Sequence, residues 1–147
     1  MLFGYLASPF IGYIFGGGLK FVINVIKNKK IDFGFIGMGG MPSTHTSIAT
    51  APLTLCIYNN GINDPIVGVG VAFLLITIID ALDLRKKISN HASQLNKLLK
   101  TTETKKLLKE NINHNVFEIL GGIFTGICAG FFTFFVFNYL VRLWKQK

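Results

Sequence analysis

From Leu2 to Ile26 the chain carries one charged residue, Lys20, and from Ile66 to Ile79 it carries none. A third apolar run, Val116 to Val141, holds only Glu118. As helices rising 1.5 Å per residue, the first and last of these are long enough to cross a hydrocarbon layer about 30 Å thick. A chain built this way folds in lipid. The composition agrees, with a mean hydropathy of +0.49 and 15% charged residues in 147. Fourteen phenylalanines and sixteen glycines suit helices packed against one another in a bilayer. The expected fold is all-α: a polytopic helical bundle forming a single membrane-embedded domain over residues 1–147. Its apolar segments lie near 2–26, 43–59, 65–82 and 116–141, with a basic interfacial loop before the last.

The breaks between segments have local causes. Asn59, Asn60 and Gly61 end the second segment, and Pro52 in its interior is expected to kink it. Asp64 is a good N-cap and Pro65 a good first helical residue, so a new helix starts there. The second and third segments then form a hairpin that returns to the side it left. Residues 86–113 are polar and basic. Ile88, Ala92, Leu95 and Leu99 share a face, which predicts an interfacial amphipathic helix. Thr101–Thr104 interrupts it, and Lys105–Glu110 is a candidate second short helix. Met1 leads straight into an apolar run with no basic region before it, so no cleavable leader is expected. Cys56 and Cys128 lie in separate apolar segments and read as buried hydrophobes without a disulfide.

The stretch Gly39-Gly40-Met41-Pro42-Ser43-Thr44-His45-Thr46-Ser47 stands apart from this background. Two glycines free the backbone, and Pro42 presets φ for the first turn of a helix. The N–H groups of Ser43, Thr44 and His45 then fall where a helix start leaves donors unpaired, at the positive end of its dipole. Such a turn accepts a phosphate or another oxyanion. The net charge of +8 points the same way, and on a chain this apolar the anion is a lipid headgroup rather than nucleic acid.

Charged and imidazole side chains collect on the same side. Lys20 lies within an apolar run, where a charge is costly and faces a polar partner. Asp80, Asp83 and Arg85 close the third segment. His114 precedes the last segment, and Glu118 follows one helical turn later on the same face. A carboxylate so placed holds one imidazole nitrogen and makes the other a better nucleophile or base. His45 supplies a second imidazole able to protonate a leaving oxygen. Lys20, Arg85 and Lys27 offer positive charge to a phosphoryl group's oxygens. No Walker loop, catalytic carboxylate pair or Cys/His metal cluster competes, and no metal or cofactor is expected.

These residues resemble the divergent membrane branch of the type 2 phosphatidic acid phosphatase and vanadium haloperoxidase superfamily. The resemblance runs from Lys20 to about Gly126. Lys20 matches the lysine of a Lys-x6-Arg-Pro motif, with Lys27 at the arginine position. Pro42-Ser43-Thr44-His45 matches Pro-Ser-Gly-His, with threonine for glycine. Arg85 matches the arginine of the third motif, with Leu84 where that motif has serine. Asn113-His114-Asn115-Val116-Phe117-Glu118 is similar to the branch's Gly-His-Thr-Pro-x-Glu string. His91 also follows Arg85 with five residues between, but Leu95 stands where an acid should be. His114 is taken as the nucleophile because it alone has an orienting acid. Asp80 and Asn96 are supporting residues of the resemblance.

The resemblance implies metal-independent hydrolysis of a membrane lipid phosphate or diphosphate, of polyprenyl or phosphatidate type, through a phosphohistidine. A binding or transport protein that takes the same lipid without cleaving it is the alternative. A homo-oligomer is left open by the sequence. Eleven of the fifteen basic residues lie on the side of the site, so the positive-inside rule places the site in the cytoplasm, with the protein in the cell inner membrane.

Overall fold

A computed structural model describes residues 2–31, 40–99, 108, 110 and 114–146. Among these residues every regular element is helical: α1 (Leu2–Asn28), α2 (Thr44–Asn60), α3 (Pro65–Ile79), α4 (Arg85–Leu99) and α5 (Val116–Lys145). A single π-helical turn, Asp80–Leu84, joins α3 to α4. Three helical stretches, Phe3–Asn28, Pro65–Leu99 and Val116–Lys145, are long and apolar enough to cross a membrane. Large apolar side chains such as Phe10, Ile76, Phe124 and Phe135 point outward from them. In water this would be costly; it is the surface a helical bundle presents to lipid.

The shorter helix α2 is the centre of the bundle, wedged between α1 and α5. Glycines make the wedge fit. A Cβ at Gly12 would lie 2.7 Å from the Ser47 carbonyl oxygen, and one at Gly16 would lie 2.7 Å from Ser47 Oγ. On the other flank, Cβ atoms at Gly122, Gly126 and Gly130 would come within 2.5, 2.5 and 2.7 Å of Ser43, Thr50 and Ala51 atoms respectively. Glycines spaced four apart let the backbones approach closely, as small residues do between membrane helices. The hydroxyls of α2 are satisfied inside the wedge: Thr50 and Thr54 donate to carbonyls one turn back, and Ser47 Oγ donates to the Gly122 carbonyl at 3.0 Å.

The contacts fix the helix directions. Tyr5, at the start of α1, donates its hydroxyl to Asn60 Oδ1 at the end of α2, so these two helices are antiparallel. Gly122, Gly126 and Gly130 meet α2 in ascending order, so α5 runs parallel to it. Leu53, Cys56 and Val67 pack together, joining α2 to the first turns of α3. The start of α2, the end of α3 and the start of α5 therefore lie at one end of the bundle.

The expected segments are present, with corrections at their edges. The third segment does not stop at 82 before a separate amphipathic helix: α3, the π-turn and α4 form one continuous helix from Pro65 to Leu99. On α4, Ala92 is buried, while Ile88 and Leu95 of the expected apolar face are exposed, as residues turned to lipid would be. Asn96 is buried as well. α2 continues unbroken through Pro52. Thr101–Thr104, and all of Lys105–Glu110 but Leu108 and Glu110, lie outside the described residues.

Candidate functional site

The site is built on the start of α2. Ser43 is its N-cap, with extended backbone angles and a side chain that accepts from the Thr46 N–H and, at 2.8 Å, from the Thr46 hydroxyl. Its own N–H donates to the Glu118 carbonyl at 2.8 Å, tying α2 to the first turn of α5. Pro42 therefore lies before the cap rather than in the first helical turn, and Ser43 is fully buried. Thr44 and His45 follow as the first two helical residues. Their N–H groups have no carbonyl one turn back, and the helix dipole adds to their positive character.

The last turn before α5 is held as firmly. Asn115 caps α5 through a reciprocal pair: its Oδ1 accepts from the Glu118 N–H at 2.8 Å, while Glu118 Oε2 accepts from the Asn115 N–H at 3.3 Å. This places the Glu118 carboxylate 3.8 Å from Nδ1 of the buried His114. That is within ion-pair reach of the ring, though longer than a hydrogen bond. The His114 N–H donates to the Ala81 carbonyl at 3.3 Å, in the π-turn.

The π-turn explains both this contact and the position of Arg85. On an α-helix, residues five apart point about 140° away from each other. A π-turn bonds i to i+5 and brings them onto one face. Asp80 and Arg85 are such a pair, with Arg85 Nε donating to Asp80 Oδ2 at 2.8 Å. Returning from π to α spacing leaves one carbonyl without its usual helical donor. His114 provides a donor to the carbonyl of Ala81, within that turn.

Lys20 is 6% exposed on α1 and lies within electrostatic reach of Glu118 and Arg85. His45, half-open at the mouth of the site on α2, feels Arg85, His114, Lys20 and Asp80. One cluster thus contains Lys20, Thr44, His45, Asp80, Arg85, His114 and Glu118, over the start of α2. Such an arrangement can receive an anionic group between cations and present it to two imidazoles.

Three residues singled out from the sequence stand elsewhere. Lys27 is exposed, two turns beyond Lys20 on the same face of α1, about 10 Å further along the axis. His91 is exposed on α4. Asn96, buried, holds the returning chain: its Nδ2 donates to the Leu108 carbonyl and to Glu110 Oε1, and its Oδ1 accepts from the Leu108 N–H at 2.8 Å. Among the described residues no group of three or more His, Cys, Asp or Glu side chains is placed to hold a metal ion. The π-turn was missed from sequence, although an aspartate and an arginine five apart at the end of an apolar run are a signal for it.

The chain is similar to an uncharacterized membrane protein, YuiD, of Bacillus subtilis (strain 168), at 30% identity over 139 residues, covering 83% of this chain and 88% of that one. No solved structure matches it. The model of the divergent PAP2 family matches residues 4–129, a stretch that contains every residue of the cluster. The chain belongs to the divergent PAP2 family.

Proposed function

We propose that the chain hydrolyses a membrane lipid phosphate or diphosphate, of polyprenyl or phosphatidate type, through a phosphohistidine. The observation that carries this reading is the buried His114 beside Glu118, facing the start of α2 within one cluster of cations. In the first step His114 Nε2 attacks phosphorus and the bond to the lipid oxygen breaks. His45 gives its proton to that leaving oxygen. Glu118 stabilises the positive charge that develops on His114. Lys20 and Arg85 hold the phosphoryl oxygens, together with the N–H groups of Thr44 and His45. In the second step water attacks the phosphohistidine, His45 takes the water's proton, and inorganic phosphate leaves. The start of α2 fixed by the Ser43 cap serves both steps.

The test is phosphate release by purified protein from phosphatidate and from a polyprenyl diphosphate in detergent micelles. Release supports the reading; tight binding of both lipids without release would make the protein a lipid-phosphate carrier instead. The acid step also predicts a pH profile. His45 must be protonated to act. kcat/KM therefore falls as pH rises through the titration of its imidazole, giving the profile a limb on the basic side. His45→Asn removes that limb of the profile. A profile identical in the variant would take the proton-donor role away from His45.

The site is proposed to face the cytoplasm from the cell inner membrane. Arg85, Lys86, Lys87 and Lys97 lie at its end of the bundle or beyond it, whereas the turn at Asn59–Asp64 at the other end has no basic residue. In a background with Cys56→Ala and Cys128→Ala, Lys97→Cys is expected to resist a membrane-impermeant thiol reagent in intact cells and to react once they are opened. Labelling of intact cells would reverse the orientation.

A further inference from the structure

An apolar cavity of about 650 Å³ opens between α2 and α3, with Tyr5 of α1 at its end. On α2 it is lined by Pro52, Cys56 and Asn60; on α3 by Ile66, Val69 and Phe73. The same helix faces lead to the charged cluster. His45, Pro52, Cys56 and Asn60 fall within about 80° of one another around α2, and Ile66, Val69, Phe73 and Asp80 within about 60° around α3. Pro52 lies seven residues from His45, and Phe73 lies seven from Asp80. The cavity therefore begins about 10 Å below the cluster on both helices. It ends about 22 Å below His45, at the level of Asn60. There it meets polar groups: the Tyr5 hydroxyl donates to Asn60 Oδ1, and Asn60 Nδ2 donates to Asp64 Oδ2, each at 2.9 Å. Ile66, Val69 and Phe73 are all more than half exposed, so the cavity is open on its lipid side.

We propose that this groove seats one hydrocarbon chain of the phosphate-bearing lipid whose headgroup occupies the cluster; the assignment rests on the function proposed above and names the part of the substrate recognised. An apolar trough with a cationic site about 10 Å beyond one end and a hydrogen-bonded floor at the other matches a molecule with one charged end and one greasy tail. Burying the tail adds affinity in proportion to the apolar area covered. The small, buried Ala49, on the same face between His45 and Pro52, leaves the chain to pass over the α2–α3 seam from its lipid side. The polar floor sets the depth to which a tail can enter.

The experiment uses the full chain in lipid nanodiscs and two photoreactive probes with the diazirine near the far end of a hexadecyl chain. One probe ends in a phosphate, the other in an alcohol. Mass spectrometry locates the labelled residues. The phosphate probe is expected to label the segment from Pro52 to Phe73, and the alcohol to label the lipid-facing helices without preference. Val69→Trp, which fills the groove from an exposed position, is expected to cut the phosphate-dependent labelling at least fivefold. Phe124→Trp, exposed on α5 outside the groove, leaves it unchanged. Equal labelling of the groove by the alcohol, or phosphate-probe labelling spread evenly over the three long helices, overturns the proposal. Phosphate release is measured on the same preparation. Headgroup-dependent labelling without release would remove the catalytic reading and keep the groove.

Discussion

His114→Ala is expected to lower phosphate release by at least about a thousandfold, with the helical content and detergent-solubilised size of the protein unchanged. The magnitude follows from losing the attacking atom itself, which neighbouring charges cannot replace. The ring is buried, but it lies next to the cap of α5 rather than within the α1–α2–α5 wedge, so its loss leaves the main packing intact. The backbone contact from His114 to Ala81 is made by the N–H and survives the substitution. Rapid acid-free quenching should also show a phosphorylated protein in the parent that the variant lacks. The informative control is His91→Ala, exposed on α4, expected to retain nearly full activity. Loss of activity in the His91 variant, with His114→Ala active, would transfer the nucleophile to His91.

The largest effect on stability is expected at Gly122. A methyl group there would sit 2.5 Å from the Ser43 carbonyl oxygen and 2.9 Å from Thr46 Cβ. Neither can swing aside: the first is backbone at the cap of α2, and the second belongs to a side chain hydrogen-bonded to that cap. Gly122→Ala must therefore push α5 away from α2, at a cost of about 1–3 kcal/mol or more. It also shifts the N-cap on which the site is built, so activity falls along with stability. Gly18→Ala is the matched control, since its Cβ meets nothing within 4 Å. In an open helical position alanine is favoured over glycine by roughly 1 kcal/mol. Thermal unfolding in detergent should show a lower midpoint for Gly122→Ala and an unchanged or higher one for Gly18→Ala. A Gly122 variant as stable as the parent would mean that the wedge is looser than these distances require.

Much of the fold was legible because lipid imposes a simple rule on the sequence. Long runs without charge mark the helices, and Asp64-Pro65 marks a start that the structure reproduces, with Asp64 accepting from the Ile66 N–H. The many glycines also suited close helix packing, which α1 and α5 show against α2. The site was legible in its residues but not in its construction. Ser43, Thr44 and His45 read as three equivalent donors, yet the Ser43 N–H is taken by Glu118, a residue 75 positions away. No local pattern encodes such a contact. Lys20 and Lys27 share a face at heptad spacing, and only the depth of α1 in the bundle separates a buried lysine from an exposed one. Asn96 matched the family resemblance, but its task, holding the chain near Leu108, depends on where that chain returns. The join between α3 and α4 was misread because a π-turn keeps the chain helical while changing its register, and hydrophobic periodicity does not detect a turn of five residues.

That turn can be viewed as an α-helix with one residue too many. Deleting a single residue between Ala81 and Leu84 would restore regular α spacing, and Arg85 would then stand four places after Asp80, still close enough to pair. The carbonyl offered to His114 would instead be claimed by the helix's own ladder. One surplus residue thus works as a latch between two parts of the chain far apart in sequence: the charge pair would survive its removal, while the strand of backbone carrying His114 would be unhooked from the helix beside it.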